Sequence, residues 1–201
     1  MEYYLSIVVF TFAGAFTPGP NPVLLISSGA NYGIRRSLPV YFGICLGFPL
    51  LVAAIGGGLG ALFSRFPFAH SLLKIVGAAY LLYLAWRTAT GARPDADIEL
   101  PKPLTFREAM VFQWVNPKAW VVAMGAIATF TREGEVFESI LIILSAFMIS
   151  GFVGMGFWLT LGARLETWLY GARYRVFNGV MGVLLALTVI PIVLADLSFT
   201  F

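Results

Sequence analysis

Thr17-Pro18-Gly19-Pro20-Asn21-Pro22 and Asn116-Pro117-Lys118 each interrupt a hydrophobic stretch that otherwise reads as one unbroken helix. Asn21 and Asn116 stand 95 residues apart in a chain of 201, one in each half. Proline donates no backbone hydrogen bond, and its ring clashes with the carbonyl four residues back. In lipid such a break survives only where protein or a watery cavity satisfies the freed groups. Paired breaks at matching places in two halves are a sequence pointer to a binding site between repeats.

The rest of the composition agrees with a bilayer. The chain is 59% hydrophobic and 11% charged, with a mean hydropathy of +0.86, whereas soluble domains carry about 25% charged residues. Six segments have the apolarity for a span of about 20 residues: Tyr3–Ala30, Val40–Leu62, Ala69–Trp86, Ala109–Phe130, Ser139–Leu161 and Val176–Leu194. The first opens Met1-Glu2 with no basic leader and is too long for a cleaved signal, so it reads as the first membrane helix.

The fold expected is an all-α integral membrane protein, residues 1–201 forming a single transmembrane domain. Repeat one covers about 1–90 and repeat two about 107–201, joined by an exposed polar, proline-rich linker at about 91–106. Helices one and four are broken at proline. Three helices per half is odd, so the second half enters the membrane from the opposite side, and the repeats are inverted.

Charge sets the orientation. Arg35, Arg36, Arg87, Arg93, Lys102, Arg107, Arg164, Arg173 and Arg175 fall on one side, nine of the 13 basic residues. Arg65, Lys74 and Arg132 fall on the other. The basic side reads as cytoplasmic and both termini as periplasmic. The pI near 9.2 is therefore a topology signal, and no nucleic-acid partner is expected. Trp86, Trp168, Tyr170 and Tyr174 suit the cytoplasmic interface.

Cys45 is the single cysteine and His70 the single histidine. No disulfide, Cys-x-x-Cys motif, metal site or cofactor is expected. Cys45 reads as a small apolar filler, and His70 as an interfacial residue beside Pro67. Gly43 with Gly47, Gly56 with Gly60, and Ala146, Ser150 and Gly154 recur at helical spacing, which allows close helix approach. Ordinary packing within the bundle explains them and leaves homo-oligomer formation open.

The candidate site is the pair of breaks. Without the N–H groups of Pro18, Pro20 and Pro22, the carbonyls of Gly14, Phe16 and Pro18 lose their helical partners, and Pro117 does the same to Gln113. Such carbonyls suit a cation or ammonium group. Gly19 permits close approach or an unusual backbone angle, and Thr17, Asn21, Gln113 and Asn116 add side-chain donors and acceptors. Lys118 lies 11 residues from Arg107 and 14 from Arg132. It is the one Lys, Arg, His, Asp or Glu at mid-depth, with no acidic partner there. A lysine so placed costs about 2.5–3.5 kcal/mol on insertion scales and usually faces a cavity. The reading is a receptor for a zwitterion: freed carbonyls for an α-ammonium, Lys118 for an α-carboxylate. Thr17, Pro18, Gly19, Pro20, Asn21, Gln113, Asn116, Pro117 and Lys118 are its expected substrate-binding residues, and Lys118 is the proton-coupling candidate. A structural lysine bonded to helix-one carbonyls is the competing reading of Lys118.

These residues resemble the LysE/RhtB family of amino-acid exporters, whose first-helix signature stands here as Thr17-Pro18-Gly19-Pro20-Asn21. Further matches are Ser28-Gly29-Ala30-Asn31-Tyr32-Gly33-Ile34-Arg35-Arg36, Gly77-Ala78-Ala79-Tyr80-Leu81-Leu82-Tyr83-Leu84-Ala85-Trp86 and Asn116-Pro117-Lys118. Leu84-Ala85-Trp86-Arg87-Thr88-Ala89-Thr90 and Phe112-Gln113-Trp114-Val115-Asn116 are similar to the branch that exports cysteine and O-acetylserine. Pro22 departs from the family, where many members carry a non-proline. The resemblance covers essentially the whole chain. It implies six membrane helices, the bacterial inner membrane, and proton-driven export of neutral or small polar amino acids such as cysteine, O-acetylserine, homoserine or threonine. Partners would be substrate, protons and lipid.

Two other readings are weaker on the residues. A cation or metal exporter needs acidic ligands at mid-depth, and none stands there. An intramembrane enzyme needs a nucleophile beside a base, and Ser27 and Ser28 have no histidine within the membrane to serve them.

Overall fold

The computed structural model describes residues 1–59, 67–90, 103–169 and 172–190. Their helices are α1 (Glu2–Phe16), α2 (Pro20–Ala54), α3 (Pro67–Ala89), α4 (Phe106–Val115), α5 (Pro117–Phe130), α6 (Val136–Leu165) and α7 (Ala172–Leu187). A π-helical turn, Ile55–Leu59, follows α2. The fold is all-α, with no strand among the described residues. Most of the expected linker, 91–102, lies outside them, as do the side chains of His70 and Lys74.

Both expected breaks are present, and the prolines at them start helices. Thr17 ends α1 in extended conformation, its N–H and hydroxyl both donating to the Ala13 carbonyl at 2.9 and 2.6 Å. Pro20 is the first residue of α2 and Pro117 the first of α5. A missing N–H costs nothing there, and the fixed φ already suits a helix. The α2 ladder resumes with Val23 N–H donating to the Gly19 carbonyl. Asn116 serves both sides of its break. It closes α4 and caps α5, its side-chain oxygen accepting from the Lys118 N–H at 3.1 Å.

The short connection expected between the first two spans, within 31–39, is a single residue. Gly33, at φ 70° and ψ 173°, divides α2 into 20–32 and 34–54. Those angles are essentially restricted to glycine. The chain folds back there. The hydroxyls of Ser28 and Ser37 meet at 2.7 Å, although nine residues of straight helix would separate them by about 13 Å. The second expected span accordingly begins directly after Gly33, with no loop before Val40.

Two ends of the bundle are chemically distinct. At one, Tyr3 Oη donates to the Phe130 carbonyl at 2.7 Å, and the Arg132 guanidinium lies 4.4 Å over the Tyr3 ring. At the other, Glu166 lies beside the Gly33 fold-back, and Arg87 comes within 3.9 Å of Glu108. Arg35 and Arg36 follow that fold-back in sequence, and Arg164 sits in the last turn of α6.

Glycines set the helix contacts. Gly43 and Gly47 of α2 lie on the backbone of α4 at Phe106 and Met110; Gly154 and Gly162 of α6 lie on Ala15 and Ile26; Gly182 of α7 lies on Ala85 and Ala89 of α3. The heaviest packing is between α2 and α6, elements of opposite halves. Leu25, Leu51, Phe112, Ile143 and Leu185 are fully buried between the helices. Outside, Leu5, Val9, Leu50, Ile75, Val121, Ile149 and Val183 each leave half or more of their surface exposed. So broad an apolar exterior is a lipid-facing surface.

By length and apolarity, two helical runs would each cross a bilayer alone, 20–59 and 136–165; α1, the 75–89 part of α3 and α5 are apolar but shorter. A 15-residue α1 is about 22 Å long, against a hydrocarbon core of about 30 Å. It falls short unless the segment 20–32 continues it.

Candidate substrate site

The two breaks meet. Asn21 Nδ2 donates to Gln113 Oε1 at 2.8 Å, and Gln113 Nε2 donates back to Asn21 Oδ1 at 3.0 Å. Asn116 Nδ2 donates to the same Asn21 oxygen at 3.4 Å. A reciprocal amide pair satisfies both side chains at once, and Gln113 and Asn116 are almost completely buried. Breaking such a pair leaves unmatched polar atoms, at a cost of about 1–3 kcal/mol each.

Lys118 spans the gap between the halves. It lies twelve residues from either end of the α4–α5 pair. Its Nζ donates to the carbonyls of Thr17, Gly14 and Pro18 at 2.5, 3.2 and 3.4 Å. An ammonium has three donors, and the broken end of α1 supplies three acceptors. The expected carbonyls of Gly14 and Pro18 are therefore engaged, together with that of Thr17, which proline spacing does not single out. The cation on them in this state is the protein's own. Gly19 is needed for this approach and not for its backbone angle, which is extended at φ 173°. A Cβ at Gly19 would stand 2.7 Å from Lys118 Cδ and 3.2 Å from Nζ.

Two tryptophans complete the breaks, and neither was foreseen. Trp158 Nε1 of α6 donates to the Ala15 carbonyl at 3.1 Å, and Trp120 Nε1 donates to the Trp114 carbonyl at 2.7 Å. Nothing in their local sequence distinguishes them from lipid-facing tryptophans; only the helix packing brings them to the freed carbonyls.

Beside these groups is a cavity of about 560 Å³, counting its open mouth. Gly14, Asn21, Pro22, Asn116 and Lys118 line one wall. Ile44, Cys45, Phe48, Phe147, Ser150 and Met155, from the second part of α2 and from α6, line the other. Cys45 is thus both a buried filler, 3% exposed, and part of this wall. Of the expected site residues, Asn21, Asn116 and Lys118 line the cavity. Thr17, Pro18, Gly19 and Gln113 hold those three by direct contact, while Pro20 and Pro117 open the helices on which they stand. The lining contains no aspartate or glutamate. Among the described residues no cluster of His, Cys, Asp and Glu could hold a metal ion.

Broken helices joined by buried amides, with a lysine at their junction and an apolar exterior, define a membrane translocator. The LysE type translocator family model matches residues 12–195, and the chain belongs to that family, whose members are transporters and not enzymes. It is accordingly a multi-pass protein of the bacterial inner membrane. The chain is 34% identical over 197 residues to the cysteine/O-acetylserine efflux protein of Klebsiella pneumoniae subsp. pneumoniae, covering 94% of this chain and 95% of that one. It is 37% identical over 121 residues to the protein of the same name from Salmonella typhi, and that match spans 60% of this chain and 62% of the relative. No solved structure matches.

Proposed function

We propose that this chain exports small neutral amino acids or their close derivatives, with cysteine and O-acetylserine the first candidates, and that the cavity at the two breaks is its substrate site. The observation that carries the reading is Lys118. Its ammonium rests on carbonyls freed by the α1 break, facing a cavity with no carboxylate to neutralise it. A half-buried cation without a counter-ion in its cavity favours an arriving anion. The substrate carboxylate takes Lys118, and its α-ammonium takes the place of Nζ on the carbonyls of Gly14, Thr17 and Pro18. The exchange leaves neither the lysine nor the carbonyls unsatisfied. The relatives' efflux of cysteine and O-acetylserine supports the substrate class.

The architecture proposed is six crossings in two inverted repeats. α1 with 20–32 forms the first crossing, and the 109–130 part of α4 and α5 the fourth. The packing supports a pseudo-twofold axis. The second crossing of one half, 34–54, lies on the broken pair of the other through Gly43 and Gly47. Its counterpart α6 lies on α1 and 20–32 through Gly154 and Gly162, and the last crossings, α3 and α7, lie on each other. The gathering of arginines around the Gly33 end supports a cytoplasmic assignment for that end, with both termini periplasmic. Export is coupled to proton entry, and Lys118 is the group on which coupling rests.

The test is export of labelled O-acetylserine and cysteine from cells with and without the protein. Lys118→Met should abolish export while leaving membrane expression intact, and it should remove substrate-driven proton movement in reconstituted vesicles. Export at the wild-type rate by that variant would refute the assignment.

A further inference from the structure

A second, open cavity, of about 450 Å³ counting the space at its mouth, lies on the arginine-rich side of the first. Its polar lining is Ser27, Ser28, Asn31, Tyr32, Arg87 and Thr88. Leu24 and Val40 also line it. The register of these residues places it in line with the central cavity. On the first part of α2, Asn21 faces the central cavity, Leu24 one turn on faces the second, and Ser28 lies a turn beyond. On the second part, Phe48 and Ile44 face the central cavity, and Val40 one turn away faces the second. Leu24 and Val40 are 5% and 1% exposed. One turn of packed apolar side chains therefore separates two spaces stacked along the same pair of helix faces.

Hydrogen bonds cross-link the polar wall. Asn31 and Asn178 exchange amide hydrogen bonds at 3.1 and 3.2 Å, Tyr174 donates its hydroxyl to Asn31 Oδ1, and Asn31 Nδ2 also reaches the Ser27 carbonyl at 2.6 Å. Ser28 is held by Ser37. Arg87, in the last turn of α3, is half-buried with its Nη1 3.9 Å from Glu108 Oε1. Glu108 also accepts from the Thr105 N–H at 2.6 Å, and the five donors of a guanidinium let Arg87 keep its existing partners while taking a further carboxylate. A guanidinium recognises a carboxylate through parallel donors, and does so best where water is partly excluded.

We infer that this second cavity is the cytoplasmic access site of the transport path, where Arg87 captures the carboxylate of the amino acid before it passes the Leu24–Val40 layer to Lys118. The assignment rests on the export reading above. It gives the path two cations in series, one at the mouth and one at the centre, with an apolar layer between them.

Inverted membrane vesicles, which present the cytoplasmic face outward, test it through uptake of labelled O-acetylserine. Arg87→Gln should raise KM about tenfold, the scale of one partly screened charge-assisted bond, with Vmax within about twofold. Arg87→Lys should recover part of the loss. The carboxamide analogue of O-acetylserine, which offers neither cation a carboxylate, should inhibit wild type and Arg87→Gln equally weakly. Thr88→Cys should be labelled by a membrane-impermeant maleimide from the cytoplasmic face well above wild type, whose Cys45 is buried, and O-acetylserine should protect it; this readout stands even if the arginine variants fail to insert. An unchanged KM, or a loss confined to Vmax, overturns the access site while leaving the central site standing. A KM effect seen only in vesicles of anionic lipid, and absent in phosphatidylcholine, overturns it in favour of a lipid phosphate on Arg87. Wild-type vesicles that take up neither O-acetylserine nor cysteine overturn both assignments together.

Discussion

Lys118 and Gly19 form one device at the scale of single residues. The lysine reaches three carbonyls only because residue 19 has no side chain. Gly19→Ala puts a methyl group 2.7 Å from Lys118 Cδ. The obstacle is a flexible side chain, so the lysine gives way and the backbone does not. The expected outcome is a protein that folds and inserts normally, with export reduced at least tenfold. Wild-type export by purified, reconstituted Gly19→Ala would show that the lysine position does not matter. Lys118 itself was legible in the sequence, because a charge far from any flanking arginine stands out. Its contact with the Thr17 carbonyl was not, since proline spacing marks only carbonyls four residues back.

Helices end and begin here by local rules, and two of those ends can be tested as elements. Gly33 holds a conformation that costs other residues about 1–3 kcal/mol. Gly33→Ala should lower the unfolding free energy in detergent by that amount and loosen the Ser28–Ser37 contact. No change in stability would mean that the fold-back tolerates another geometry. At the start of α4, Thr105 and Glu108 form a capping box, with bonds of 2.6 and 3.2 Å. Burial pushes the Glu108 carboxyl up, but the Thr105 N–H and hydroxyl and nearby Arg87 outweigh it and hold the pKa below its ordinary value. A depressed carboxylate stabilises the fold above its ordinary pKa, and loses that contribution as pH falls through the depressed value. The stability difference between wild type and Glu108→Gln should therefore be present at pH 7 and shrink as the pH is lowered through and below the ordinary carboxylate range, by thermal unfolding across that series. A difference that persists in acid would separate the cap from the charge. The sequence reading placed a connection within 31–39 but not its tightness at Gly33, because a one-residue reversal is marked only by a glycine at a helix end.

At the scale of the whole molecule, the halves are joined at glycine contacts as well as at the breaks. Gly29 and Gly162 oppose each other across the crossing of α2 and α6. A Cβ on Gly29 would meet the Leu159 carbonyl oxygen at 2.5 Å, and one on Gly162 would strike the Ile26 backbone. Neither obstacle is the end of a side chain, so the helices themselves must separate. Gly162→Val should cost more than the about 1–3 kcal/mol of ordinary overpacking. It should yield little folded protein by size-exclusion chromatography in detergent, whereas Gly179→Val, with nothing within 4 Å of its added Cβ, should behave as wild type. Equal yields would mean that the interface can open without loss. Spacing in the sequence marked Gly43, Gly47 and Gly154, but it marked neither Gly29 nor Gly162, and it named no partner for any of them.

The sequence by itself determined the all-helical class, the two proline breaks, the unequal distribution of arginines and the isolation of Lys118. Each follows from a property local to a few residues: apolarity, a missing N–H, or a charge too far from either end. Tertiary structure decided how those pieces are used. It folded α2 back at Gly33, paired Asn21 with Gln113, and laid Lys118 on carbonyls of the opposite half. It set two tryptophans on freed carbonyls and aligned a second, arginine-bearing cavity with the first. These depend on which helix faces meet across long stretches of chain. Glycine-to-backbone contact sets that alignment, and no local pattern encodes it.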